Sequence, residues 1–421
     1  MSLGASFMHQ EEYMHKSRYA KGKQKLRKGE YQRPNGSFEY KWSDQFGRRY
    51  SLYGETLTEL RAKEEKLKKD IEEGICTTDQ NITLNSYFEI WKQLKTGIKE
   101  STLQSYLKPY RLYVESQIGN TKLKDITYSS MVIFYKKLAE ERGLSITSID
   151  NLNKVLSMVM DVAVRDRIIR SNPCRGVLKE LRRQYADSVK PVRALTLTEQ
   201  KLFEDYLAGP GPYHYLHPIF TVMLWTGMRV GEALALRWED VDLVNNKIYV
   251  HHTLENYDQG KGLGCKTVIA LPKTKTSIRT IPMFNKVKEA FLEEKKKHED
   301  FGIECKSVIS GYSDFVFLRA DGYVLDYRRL NNKLYRINLK INEKIKGKED
   351  IYGIKEFPHV HNHMLRHTFT TRMNEAGMDL KALAAILGHK DVRITLNTYT
   401  DATEDFKTSQ MSAMEQYFNN K

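Results

Sequence analysis

A chain of 421 residues is too long for one compact core and suits two or three domains. With 40% hydrophobic and 11% aromatic residues it is a folding sequence, and 68 Lys and Arg against 53 acids leave a net charge of +15. That surplus predicts attraction to a polyanion, nucleic acid first and an acidic membrane surface second.

Four dispersed cysteines (Cys76, Cys174, Cys265, Cys305) form no CxxC pair, which argues against zinc fingers and a disulfide framework. No apolar run approaches the roughly 20 residues of a membrane span, so no membrane partner is expected. The opening MSLGASFMHQ lacks a signal-peptide pattern. A reducing bacterial cytoplasm is the expected location. Residues 1–15 read as a tail, disordered or left over from cloning.

Residues 16–78 read as a small basic module. Positions 16–50 hold eleven Lys or Arg and three acids, a surplus of eight, so over half the net charge lies in under a tenth of the chain. SFEYKWSD alternates Phe38, Tyr40 and Trp42 with polar neighbours, the period of a half-buried strand. RPNG before it and DQFG after it are turn chemistry, and RRYSLYG reads as another strand. Leu57, Leu60, Leu67 and Ile71 then recur at helical spacing up to Gly74. The expectation is a three-stranded sheet backed by one helix, aromatics inward. Arg33, Lys41, Arg48 and Arg49 would then sit on a face suited to DNA, since a sheet can enter the major groove.

From 82 to 178 the pattern is helical, with Ser101, Thr102, Ser145 and Thr147 where N-caps are expected. KELRRQYADSVKPVR, within 179–194, reads as an exposed basic linker. Residues 195–421 are mixed. HPIFTVMLWTGMRVGEALALRWEDVD reads as one helical stretch and NKIYVHHTLEN as one strand. TVIALPKTKTSIRTIPM reads as a strand pair around a KTKTS turn, and helices follow to the end.

Four stretches of this last region carry chemistry. HVHNHMLRHTF packs four histidines and an arginine into residues 359–369. A metal site would use His359, His361, His363 and His367, but no HExxH glutamate, cysteine or carboxylate cluster accompanies them. A phosphate cradle would use His363 and Arg366, which share a helix face at i,i+3 and suit a bidentate anion. Arg229 stands in an otherwise apolar stretch, expensive unless it meets an anion or a carboxylate, and Glu232 is three residues on. Lys273 falls in the turn, with Lys275 as an alternative. In LAAILGHKDVRITLNTYTD, Gly388 ends a helix, His389 follows, and Tyr399 comes ten residues after His389.

In this order and spacing the stretches resemble the catalytic domain of the tyrosine recombinase (phage integrase) family: TGxRxxE, a hairpin Lys, HxxR, LGH and Tyr. The basic module and GYSDFVFL resemble the integrases of conjugative transposons in particular. The resemblance implies a multidomain protein. Its parts would be an N-terminal arm-binding domain (three-stranded β-sheet plus helix), an α-helical core-binding domain and a mostly α catalytic domain with a small β-sheet. It implies Tyr399 as nucleophile, forming a 3′-phosphotyrosine with DNA. Arg229, Arg366, His363, His389 and Lys273 would be the other catalytic residues, with Glu232 behind them. No cofactor and no metal are implied. The partners would be double-stranded DNA at core and arm sites, three further copies in a tetramer on DNA, and an excisionase. The alternatives are a type IB topoisomerase-like enzyme, a DNA-binding regulator with an inactive site and, more remotely, a metal-dependent nuclease. The stretch containing Met411, Met414 and Phe418 would form a tail helix, docking on a neighbouring protomer or on its own domain.

Overall fold

The computed structural model describes residues 24–43, 49–72, 81–185, 193–260, 262–272 and 275–399, with 411, 412 and 415 besides. Residues 1–15, Arg48, Lys273, Met414, Phe418 and the side chains of Lys275 and Tyr399 lie outside the described set. The chain divides into two compact units, residues 1–188 and 189–421. Among the described residues no helix is long and apolar enough to cross a membrane.

The first unit opens with strands β1 (Glu30–Gln32), β2 (Phe38–Ser43) and β3 (Arg49–Gly54), antiparallel in that order. The RPNG turn closes on itself, Gly36 N donating to Arg33 O at 3.0 Å. Helix α1 (Leu57–Glu72) lays Leu57 and Leu60 on Phe38, with Tyr40 and Leu52 alongside. The aromatic side of β2 is thus the core side, as its alternation predicts. A buried Glu30 ties β1 to α1 through Arg61, with contacts of 2.9 and 3.1 Å. The register sets Lys41 opposite Ser51, and Glu39 between Tyr31 and Tyr53, on the other face. There Lys41 lies 5.3 Å from the Tyr31 ring and Arg33 5.0 Å from the Tyr53 ring, cations held over aromatic faces at the surface.

A separate helical block follows: α2 (Leu84–Leu94), α3 (Glu100–Tyr113), α4 (Tyr128–Arg142), α5 (Ile146–Arg165) and α6 (Lys179–Gln184). Its core gathers Trp91, Tyr87, Phe88, Tyr110, Tyr135 and the Leu152–Leu156–Val159 stripe of α5. Ser145 caps α5 as expected, while Thr147 lies inside that helix. Helix α3 starts earlier than its sequence suggests: Lys99 is the cap, and Ser101 and Thr102 fall in the first turn. The stretch read as a linker begins as α6, because Leu181 is an apolar anchor that packs into this core.

The second unit contains α7 (Leu197–Ala208), α8 (His217–Thr226), α9 (Val230–Leu234), α10 (Asn285–Phe301), α11 (Tyr327–Ile345), α12 (Glu349–Tyr352), α13 (Asn362–Glu375), α14 (Leu380–Leu387) and α15 (Val392–Tyr399). Its strands are β4 (Val241–Asp242), β5 (Lys247–Val250), β6 (Thr253–Asp258), β7 (Cys265–Ala270) and β8 (Arg279–Pro282). Strands β4, β5 and β8 form one sheet, and β6 with β7 a two-stranded ribbon. Three sequence expectations change here. NKIYVHHTLEN is two strands in different sheets, and the strands flanking KTKTS do not pair with each other. The long helical stretch is broken at Gly227, whose φ of 64° ends α8 before α9 begins. Helix α8 is apolar on all sides and buried on all sides. It forms the middle of a core completed by Phe203, Phe291, Phe317, Leu334 and Phe357. Helix α13 joins this core through Met364 and Leu365. Its later turns join a much smaller cluster of Phe369, Met373, Leu383 and Leu387.

Candidate active site

The break after α8 builds the first part of the site. Arg229 is not within a helix but immediately before one, where its extended backbone lets Glu232 fold back on it. Glu232 accepts from the Arg229 backbone N at 2.9 Å and from its Nη1 at 2.9 Å. The carboxylate is buried. The same two oxygens also accept from Arg279 of β8, Nη2 at 2.8 Å and Nη1 at 3.2 Å. Burial alone would push the Glu232 carboxyl upward, but the hydrogen bonds and charge of Arg279, with the charge of Arg229, hold it below the usual carboxylate range. Glu232 is therefore ionised, and its charge is taken chiefly by Arg279.

Helix α13 builds the second part. His361 caps it, so His363 falls in the first turn and Arg366 one turn deeper. Arg366 is 4% exposed, yet its hydrogen bonds go to neutral acceptors: Gly227 O at 2.8 Å, Leu387 O at 2.7 Å and His389 Nε2 at 2.7 Å. Both carbonyls stand at helix C-terminal ends, where backbone acceptors lack helical partners. Burial, then the nearby charge of Arg229, lowers the Arg366 pKa to about 9, which leaves it charged at neutral pH. A buried cation so placed favours an anion arriving from the cleft.

Gly388, with φ 68°, ends α14 and turns the chain to His389. A Cβ there would stand 3.1 Å from Arg279 Nη1, so the glycine also gives Arg279 room to pass. Because Arg366 can only donate, His389 Nε2 accepts and its Nδ1 carries the proton to Thr395 Oγ1 at 2.8 Å. Burial and the charges of Arg366 and Arg229 lower the His389 pKa to about 4. Partial burial of the ring and the charge of Arg366 likewise lower that of His363. Both imidazoles are neutral at pH 7. Thr395 lies in α15, one helical turn before Tyr399, whose backbone closes that helix.

Arg229, Glu232, His363, Arg366 and His389 thus line one open cleft of ≈ 550 Å³. Thr253, Ser277, His367 and Lys390 share it. His359 and His361 do not line it. His359 meets Asn338 on α11 at 3.3 Å, and among the described residues no group of three His, Cys, Asp or Glu is placed to hold a metal. Lys275 opens a short 3-10 turn ending at Ser277, beside the cleft. Arg33, Lys41 and Arg49 belong to the other unit, on or beside the outer face of its sheet.

Sequence reasoning missed Arg279 and Thr395. Arg279 had a signal, since it shares the inward side of β8 with buried Ile281. Thr395, fully buried, had none beyond its place in an amphipathic turn.

Three family models match in order along the chain: the DNA binding domain of Tn916 integrase over residues 14–71, the phage integrase N-terminal SAM-like domain over 83–139, and the phage integrase family over 203–405. Among curated relatives, a XerC-like tyrosine recombinase of Caldanaerobacter subterraneus is 27% identical over 379 residues, 88% of this chain and 92% of that protein. The transposase from transposon Tn916 of Enterococcus faecalis is 27% identical over 402 residues, 92% and 94% of the two chains. Among solved structures, the Tn1549 transposon integrase in complex with transposon right end DNA superposes with a TM-score of 0.67 at 27% identity, covering 79% of this chain and all of that one. The TGMR break, the buried HxxR arginine and the LGH turn converge on one cleft in a chain that these models match part by part, and the protein belongs to the tyrosine recombinase (phage integrase) family, among the integrases of conjugative transposons.

Proposed function

We propose that the protein is a site-specific DNA recombinase that cuts and rejoins double-stranded DNA to integrate and excise a mobile element. The observation that carries this reading is the charge balance in the cleft. Among the described residues, Arg229, Arg366 and Lys390 line the cleft against Glu232 and Glu255, and Arg279, behind Glu232, adds one more positive charge, leaving two. Nucleophilic attack takes a phosphodiester from one negative charge to two at the transition state. The cleft is matched to the later state, where stabilisation accelerates the reaction.

In the proposed reaction Tyr399 Oη attacks the scissile phosphorus. Its proton passes to neutral His363 or to water, and the P–O5′ bond breaks. Lys273, or Lys275, supplies the proton to the leaving 5′ oxygen. The 3′-phosphotyrosine retains the phosphodiester energy, so a new 5′ hydroxyl can reverse the step without ATP. Arg229 and Arg366 hold the non-bridging oxygens, each contributing about 10²-fold or more in rate.

The three matched regions support a division of labour, with 16–78 reading arm sites in the element, 82–178 and 195–421 binding the core site, and 179–194 connecting them. Four copies would then act on two DNA duplexes, with an accessory protein biasing excision.

A nicked duplex carrying the element end tests the reading, incubated in EDTA with the wild-type protein and Tyr399→Phe. The expected outcome is an adduct that survives denaturant with the wild type alone, and equal DNA binding by both. Binding without an adduct would indicate a regulator, and cutting that needs magnesium would indicate a nuclease.

A further inference from the structure

Arg279 is the buried arginine that the reaction above does not use. Its side chain is 5% exposed and reaches four acceptor atoms on three residues. Nη1 and Nη2 hold both oxygens of Glu232 in α9. Nε donates to Ile386 O in the last turn of α14. Nη1 also donates to Ser277 O, at 3.1 Å, in the loop that carries Lys273 and Lys275. Arg229, His389 and the two candidate lysines each stand within three residues of one of these acceptors or, for Lys273, four.

From this geometry we infer that Arg279 is a positioning residue for strand cleavage. It fixes the Arg229, His389 and lysine-loop segments against one another, and it neutralises Glu232 so that Arg229 keeps its charge for the phosphate. The inference rests on the recombinase reading. Arg279 itself does not line the cleft and touches no DNA in this scheme. Its removal would leave Glu232 with Arg229 as its remaining partner, and the arginine would be drawn off the phosphate.

The roles separate by mutation. Single-turnover adduct formation on the nicked duplex, DNA affinity and thermal melting would be measured for the wild type, Arg279→Lys, Arg279→Gln and Arg279→Gln with Glu232→Gln. Glutamine at 232 keeps an acceptor for Arg229 but removes the unbalanced charge. Arg279→Gln is expected to slow adduct formation about 100-fold with DNA affinity within about 3-fold of wild type. Arg279→Lys retains the charge but lacks the fork, and should fall between the two. The double variant should recover about 10-fold over Arg279→Gln, through relief of the unbalanced carboxylate. A wild-type rate for Arg279→Gln would overturn the inference, as would a double variant no faster than the single. Slowing that tracks lost melting stability and lost affinity would reduce Arg279 to a packing role and also overturn it. A well-folded wild type that binds the duplex yet forms no adduct would overturn the recombinase reading itself, and this inference with it.

Discussion

His389 shows how one residue's environment sets its chemistry. In the sequence it is a histidine after a glycine, given a catalytic role by the family resemblance. In the structure both ring nitrogens are engaged within the protein, one accepting from Arg366 and one donating to Thr395. Its depressed pKa of about 4 has a sign that can be tested. Below about pH 6.5 the unfolded chain protonates this histidine. The folded protein resists that proton until about pH 4, so acid favours unfolding across the interval and stability rises with pH through it. His252, His361 and His363 are shifted in the same direction and add to the effect. Urea midpoints at pH 7 and pH 5 should therefore differ less in His389→Asn than in the wild type. Equal differences in the two proteins would refute the assignment.

At the scale of elements, Gly227 is the joint on which the site depends. Its left-handed backbone stops α8, and its carbonyl holds Arg366. A Cβ there would stand 2.4 Å from Phe369 Cδ1 and 2.8 Å from Leu387 Cδ2. Gly227→Ala should cost about 3 kcal/mol, from backbone strain plus overpacking, seen as a lower urea midpoint. It should also slow adduct formation, because the carbonyl would move. The elements with a clean period were readable in advance: the Phe38–Tyr40–Trp42 strand, α1, and the helical block. The break at Gly388 was readable too, but the one at Gly227 was not. TGMRVGEALAL keeps an apolar texture across Gly227, and the crowding of Phe369 and Leu387 that leaves no room for a Cβ there is tertiary. Strand pairing was equally hidden, since β5 finds β8 across an intervening ribbon and no local turn announces it. Of the six proposed catalytic positions only Arg229 stood out by cost, as a charge in an apolar stretch, and the others were readable through the order and spacing of the family motif. Arg279 is as costly to bury and was masked by its ordinary place in an alternating strand.

For the whole molecule, the net charge of +15 predicts DNA affinity that falls steeply with salt. The outer sheet face should contribute separately from the cleft. Replacing Lys41 and Arg49 with alanine should lower the salt slope on arm-site DNA by about one each, and leave adduct formation on a core-site duplex unchanged. A uniform slope for all proteins would remove that face from the interface. The uneven division of the second unit's core has a further consequence, for inactivation by heat. The cleft straddles the seam between a large cluster around α8 and a small one of Phe369, Met373, Leu383 and Leu387. The small side carries His389 and leads to Tyr399, so opening it exposes little apolar surface and yet dismantles the site. On warming, cleavage should fail several degrees before the bulk unfolding transition, and it should return on cooling as long as the larger cluster has held.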